Sequence, residues 1–257
     1  MPRFAANLSM LFTELPFLDR IQAAATAGFA AVECQFPYDH PPEVIATRLK
    51  DSGMKMVLHN LPAGDWAAGD RGIAAVPGRQ AEFRDGVAKA IDYARILGCP
   101  RLNCLAGVVT REQHPRALEV LMENLRFAAG ALNAAGLDLL MEPVNTHDVP
   151  GFFVSQSAQA LSVIAAVAAP NLKLQYDLYH AQMMGEDLAR TLQSALPGIG
   201  HLQIADAPGR HEPGTGEMDY TFLFKYLDRL GYDGWVGAEY KPSTTTSAGL
   251  GWLARHA

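Results

Sequence analysis

Four apolar runs in the second half of the chain end on an oxygen-bearing side chain. LDLLMEPVN (residues 137–145) delivers Glu142, and LKLQYDLYH (172–180) delivers Asp177 and then His180. HLQIAD (201–206) carries Gln203, and WVGAEYKP (235–242) delivers Glu239 and then Lys241. If the runs are neighbouring strands, these side chains converge, because adjacent strands lie about 4.8 Å apart. Three packed carboxylates repel one another unless a cation lies between them. A divalent metal resolves that repulsion, and an all-oxygen donor set favours a hard ion, Mg²⁺ or Mn²⁺, over a structural zinc. A single acid at a strand end is ordinarily a cap or a surface charge. Four oxygen donors at corresponding ends of consecutive runs are a constellation. Glu33 ends the second apolar run in the same way, but it is expected to lie across the barrel and is left out of the set.

Such a site suits proton transfer at carbon. One of Glu142 and Glu239 can take a proton from a chelated hydroxy-carbonyl compound while the other stands opposite, and the metal steadies an enediolate. The chemistry is 1,2-isomerisation or epimerisation and requires no nucleophile, nicotinamide or flavin. Three carboxylates and one divalent ion leave one net negative charge, so an anionic substrate needs cations. Arg210 and Lys241, just after the seventh and eighth strands, are candidate substrate contacts, as are His59 and His180 at or just after strand ends. Glu239 and Lys241 are two apart, so strand alternation places both in the mouth and turns Tyr240 away. No role is assigned to His211 or Arg71.

The elements that must position these residues follow a regular beat. An amphipathic helix ends in Gly or Asn and a short apolar strand follows: Gly28, Gly53, Gly98, Gly136, Asn171, Gly200 and Gly234 each precede such a run. One predicted helical face carries Phe83, Val87, Ile91, Ala94 and Leu97; another carries Leu118, Leu121, Leu125, Ala128 and Leu132. Asp219 is a predicted N-cap for the helix bearing Leu223 and Leu227. With RFAANLSM as the first strand, eight strands alternate with helices in 257 residues, which predicts an α/β fold, a single (β/α)8 TIM barrel spanning 1–257. An open doubly wound sheet would carry a Gly-rich phosphate loop after an early strand, and none is present. Residues 62–80 form the longest connection and read as a lid.

Composition bounds the rest. Charged residues make up 19% of the chain and apolar ones 49%, enough for a large core. The net charge of −6, without a basic run, speaks against nucleic acid as a partner. The three cysteines form no Cys-x-x-Cys pair, and no apolar segment is long enough to span a membrane. A cytoplasmic protein is expected. The sequence leaves self-association into a homo-oligomer open.

Several blocks together resemble the hydroxypyruvate isomerases, which belong to the xylose-isomerase-like barrels: RFAANLSMLF, FPYD, LHNLPAGDWAAGDRGIAAVPGR, EFRDGV, NCLAG, GHLQIADAPGRHEPGTGEMDY and GWVGAEYKP. The resemblance implies interconversion of hydroxypyruvate and tartronate semialdehyde, with Glu142 and Glu239 as the acid/base pair. It also implies a divalent metal held by Glu142, Asp177, Gln203 and Glu239. Gln203 stands where the related ketose 3-epimerases usually have His. A sister group acts on 2-oxo-tetronates, one carbon longer. A metal-dependent endonuclease of the same barrel class would want more histidine ligands and a basic groove. A non-catalytic sugar binder would have no use for clustered carboxylates.

Overall fold

The computed structural model describes residues 2–256. Eight parallel strands close into one barrel in sequence order: β1 (Arg3–Asn7), β2 (Ala31–Cys34), β3 (Lys55–Asn60), β4 (Arg101–Cys104), β5 (Asp138–Met141), β6 (Leu172–Asp177), β7 (Ile199–Ile204) and β8 (Trp235–Ala238). The helices α1 (Phe17–Thr26), α2 (Pro42–Asp51), α3 (Gln80–Leu97), α4 (His114–Ala134) and α5 (Ser157–Val167) each link consecutive strands. After β6 come α6 (Leu178–Met183) and α7 (Leu188–Ala195), and after β7 comes α8 (Tyr220–Leu230). The short α9 (Thr246–Gly249) and α10 (Gly251–His256) follow β8. Among the described residues no helix is long and apolar enough to cross a membrane.

Helix faces follow the predicted period with one shift. On α3 Phe83, Val87, Ile91, Ala94 and Leu97 are all buried. On α4 the buried face runs through Ala117, Leu121, Leu125, Ala128 and Leu132, while Leu118 is 47% exposed. Asp219 caps α8 by accepting from Phe222 N at 2.9 Å. Gly98 ends α3 in a left-handed conformation (φ 63°), as anticipated. The stop after α5 differs: Ala168, not Asn171, takes the left-handed position (φ 55°). Asn171 acts through its side chain, donating to the carbonyls of Ala129 and Leu137, both at 3.0 Å. Gly200, expected to precede the seventh strand, lies inside β7.

Two pairing irregularities set which side chains face the barrel interior. Val32 pairs with Met56 but Glu33 pairs with Leu58, so β3 carries one extra residue. Between β6 and β7, Leu174 pairs with Ile199 and Gln175 with His201, which leaves Gly200 over. An extra residue reverses the alternation downstream of it. After the first, Asn60 takes the inner phase and His59 the outer. After the second, His201 and Gln203 face inward beside Gln175 and Asp177.

The two ends of the chain are fastened together. β1 pairs with β8, the Phe4 ring packs edge-on against Trp252 at 5.0 Å, and Phe12 N donates to Thr246 Oγ1 at 2.6 Å. Replacing Asn171 by Ala removes two buried hydrogen bonds at the α4–β5–β6 junction. A hydrogen bond of this kind contributes about 0.5–1.5 kcal/mol net. The Asn171→Ala variant is expected to lose stability on that scale in urea denaturation with an unchanged m-value.

Candidate active site

At the C-terminal end of the strands the inner face is polar. Glu142 and Glu239 each follow immediately on a strand, Asp177 ends β6, and all three are buried, at 5%, 4% and 2% exposure. Each carboxylate is partly satisfied by an amide or backbone donor. Asn103 Nδ2 donates to Glu142 Oε2 at 2.7 Å, Gln35 Nε2 to Glu239 Oε1 at 2.6 Å, and Tyr179 N to Asp177 Oδ1 at 2.8 Å. Arg210 Nη2 lies 3.6 Å from Glu239 Oε1 and 3.9 Å from Asp177 Oδ2. Its guanidinium stacks over Tyr179 at 5.2 Å.

The loop that carries Arg210 is folded around one carboxylate. Asp206, 1% exposed, accepts from Ala207 N (3.0 Å), Gly214 N (2.8 Å), Thr215 N (3.0 Å) and Met218 N (3.0 Å). Arg210 itself has φ 56° and accepts from Lys241 N at 2.8 Å. The glycines of GTGEMDY therefore close this loop on Asp206.

Proton affinities report the crowding. Burial, then Glu239 and Asp177, push Glu142 well above the carboxylate range, against the pull of Arg210 and Asn103. Burial raises Asp177 to about 6 although Arg210 pulls it down. Burial raises Glu239 to about 7, again against Arg210. Burial and the nearby Arg210 hold His180 well below its ordinary value. Asn145 fixes its tautomer: Nδ2 sits 2.7 Å from His180 Nδ1, and an amide N–H can only donate. His180 therefore presents Nε2–H, 3.6 Å from Asp177 Oδ2 and 3.9 Å from Glu142 Oε1.

The donor set fits a hard divalent ion. Asp177 Oδ2 is buried without a hydrogen-bond partner, and three carboxylates hold their protons above the ordinary range. Glu142, Asp177 and His180 each bring one ligand-capable atom within 4.8 Å of the others. The His180 atom is an N–H donor, however, which leaves the carboxylates and Gln203 as the residues able to hold the ion. Gln203 is 2% exposed, and its amide is held at both ends, donating to Glu33 Oε1 at 2.7 Å and accepting from Gln175 Nε2 at 2.6 Å.

Three expectations change. Glu33 does not lie away from the set; its carboxylate contacts Gln203 directly. His59 is not in the pocket: the extra residue in β3 turns it outward against Tyr38, where burial lowers its pKa to about 4. Asn60 takes its place at the mouth. Lys241 is exposed and lies outside the pocket that holds Glu142, Arg210 and Glu239, because β8 ends at Ala238 and alternation stops there. Tyr240 points away from the pocket, as expected, into the core beneath the C-terminal helix, where it accepts from Trp252 Nε1 at 3.1 Å.

Sequence reasoning missed the amides Asn7, Gln35, Asn60 and Gln175, all of which line the pocket. Their signal was a polar residue at or beside the end of an apolar run. It also missed Arg71, which lines the pocket from the 62–80 connection. Arg71 lies 4.2 Å over the Trp66 ring, donates to the carbonyls of Trp66 (3.0 Å) and Asp70 (2.6 Å), and makes no ion pair among the described residues. This connection is pinned by an Arg79–Asp70 ion pair at 2.7 Å and a bridge between Gly72 and Ala106, which leaves Trp66 at its exposed tip.

A closed barrel of eight parallel strands with buried acids at its C-terminal mouth defines a class, and the chain belongs to it: the xylose isomerase-like TIM barrel family, whose profile matches residues 21–256. Within that family it is an isomerase. It is 52% identical over 254 residues to hydroxypyruvate isomerase of Escherichia coli, with 98% of each chain covered. It is 48% identical over 254 residues to 2-oxo-tetronate isomerase of Cupriavidus necator, again with 98% of each covered. A Brucella melitensis structure described as an AP endonuclease of family 2 superposes with a TM-score of 0.97 at 46% identity, over 100% of this chain and 99% of that one. The 3-keto-D-glucoside 4-epimerase of E. coli shares the fold, with a TM-score of 0.82 at 18% identity over 99% of each chain.

The raised carboxylates set a pH dependence. A carboxyl held above its unfolded pKa binds protons more tightly when folded, so its contribution to stability falls as pH rises from about 4 through the folded value. Buried His59 and His180 act oppositely, losing stability as pH falls below about 6.5. The difference between metal-loaded and metal-free protein separates the two effects. The Tm increase given by Mn²⁺ is expected to be small at pH 5, to grow through the window set by Asp177 and Glu239 at about 6 to 7, and to level off near pH 8. Asp177→Ala should abolish the increase at every pH, as scanning calorimetry would show.

Proposed function

We propose that the chain interconverts hydroxypyruvate and tartronate semialdehyde (2-hydroxy-3-oxopropanoate) by moving a proton between C3 and C2 of the acid. The observation that carries this reading is the pair Glu142 and Glu239, two buried carboxylates with raised proton affinity in one pocket with Arg210. A general base works best with a pKa near the working pH, and Glu239 stands at about 7. The 52% identity to the E. coli hydroxypyruvate isomerase supports the substrate.

In this mechanism Glu239 takes a proton from C3 of hydroxypyruvate while the proton of the C3 hydroxyl passes to the C2 carbonyl oxygen, which gives an enediolate. Glu142, protonated at the start, delivers its proton to C2 as the aldehyde forms at C3, and the proton on Glu239 returns to Glu142 through solvent. One oxygen of each glutamate is held by an amide, from Asn103 or Gln35, which leaves the other to carry the proton. The Nε2–H of His180 donates to a substrate oxygen. Glu142, Asp177, Gln203 and Glu239 would hold a divalent ion, Mg²⁺ or Mn²⁺, which would supply positive charge beside the substrate when bound. The substrate carboxylate goes to Arg71, the pocket cation with no ion pair among the described residues, because Arg210 is already engaged by Glu239 and Asp177. Trp66, stacked on Arg71, covers the bound acid.

The 48% identity to a 2-oxo-tetronate isomerase favours a second reading, a four-carbon acid in the same site. Proton exchange in heavy water, run with hydroxypyruvate beside a four-carbon 2-oxo acid and free ketoses, decides between them by the ratio of kcat/KM. An endonuclease reading fits poorly, because the pocket offers one histidine and no basic groove among its lining residues.

Glu239→Gln keeps an oxygen donor and removes the base. It is expected to bind Mn²⁺ while losing turnover by about 10²–10⁴-fold; normal turnover would remove the paired-carboxylate mechanism. Arg71→Met is expected to raise KM for hydroxypyruvate by about 10–100-fold, the scale of a lost charge-assisted hydrogen bond, and to leave KM for a neutral ketose unchanged. Lys241→Met should leave both unchanged, and steady-state kinetics on the two variants checks the contrast.

A further inference from the structure

One buried acid is left unused by the mechanism. Glu33 is fully buried inside the barrel, as is His201. Every oxygen of Glu33 is engaged. His201 Nε2 shares a hydrogen with Oε2 over 2.6 Å, while Gln203 Nε2 and Asn7 Nδ2 donate to Oε1 at 2.7 and 2.9 Å. The barrel makes room for this reach. Glu33 stands on β2 and Gln203 on β7; on the two strands between them, β1 offers Asn7 level with Glu33 and Ala5 below it, and β8 offers Gly237 level with Gln203. A Cβ on Gly237 would lie 2.3 Å from both Glu33 carboxylate oxygens. The absent side chain on β8 is therefore the space the carboxylate fills.

An amide has two ends that differ chemically, and only the oxygen can hold a cation. A carboxylate accepts and an amide N–H₂ donates, so the Glu33 contact dictates which end of Gln203 turns away from the ion. We infer that Glu33 is a positioning residue for the metal site: it orients the Gln203 amide so that its oxygen is the atom offered to the ion. Gln175 Nε2 takes one lone pair of that oxygen at 2.6 Å, and a carbonyl oxygen has a second. His201 and Asn7 fix Glu33 in turn. This inference rests on the metal-site reading and extends it to a residue that touches neither ion nor substrate.

The test is a Mn²⁺ titration of metal-stripped protein followed by electron paramagnetic resonance, with no substrate present. Wild-type protein that fails to bind Mn²⁺ would overturn the metal-site reading itself. Given wild-type binding, Glu33→Gln is expected to weaken Mn²⁺ affinity by about 10–100-fold, the usual effect of removing a partner that orients a metal ligand. The substitution leaves one acceptor oxygen where Glu33 has two, and His201 and Gln203 use different oxygens, so both contacts cannot be kept with His201 as donor. Unchanged affinity in folded Glu33→Gln overturns the inference. The double variant Glu33→Gln/Gln203→Glu separates orientation from mere packing, because a carboxylate at 203 has no wrong end and position 33 can then donate to it. It should fold and bind Mn²⁺ at least tenfold more tightly than Glu33→Gln, or, if that variant does not fold, within about tenfold of wild type. A double variant that does not fold, or that shows no such recovery, overturns the inference as well.

Discussion

Everything at the mouth of this barrel follows from placing three carboxylates where they are almost wholly buried. Each would release its proton readily in solvent; packed together and buried, they resist doing so. The surrounding chemistry answers that cost. Asn103 and Gln35 supply amide hydrogens, the backbone of α6 supplies another at Asp177, and Arg210 brings a permanent positive charge between two of the acids. Arg210 is placed in turn by a loop wound about Asp206. The acids thus account for a layer of amides, the arginine, and the fold of the loop that carries it.

A second requirement is phase. A strand offers alternate residues to the interior, so a polar group reaches the site only if the count from the strand's start is right. Two extra residues, Val57 in β3 and Gly200 in β7, adjust that count. They bring Asn60, His201 and Gln203 inward and send His59 out among the helices. The inner face also needs absences as much as presences. Ala5 and Gly237 contribute almost nothing to the interior volume, and that allows Glu33 to act across two strands.

The eightfold beat of strand and helix was legible because it rests on local patterns: periodic apolar faces, glycine stops and short buried runs. Glu142, Asp177, Gln203 and Glu239 were legible as polar positions for a related reason, since each stands within a residue of the same end of its strand. The errors came where local counting meets tertiary detail. His59 was misplaced by a bulge that leaves no mark in KMVLHN. Lys241 was misplaced because β8 stops at Ala238. Glu33 was set aside on distance around the barrel, although the interior is narrow and the residues between are small. Arg71 went without a role because it sits in a connection with no period to read, and its neighbour Trp66 places it only once the chain has folded back.

The fastening of β1 to β8, with Phe4 against Trp252 and Phe12 against Thr246, bears on how the molecule is made. During synthesis the first strand emerges before the other seven and waits for its partner until β8 has left the ribosome. Domains complete their packing only when such long-range contacts are available. Glu239 arrives with that last strand. A partly made chain therefore lacks one of the acids on which the site depends and leaves the barrel interior open. The same act of closure that stabilises the fold also brings the last of the three buried acids to the mouth.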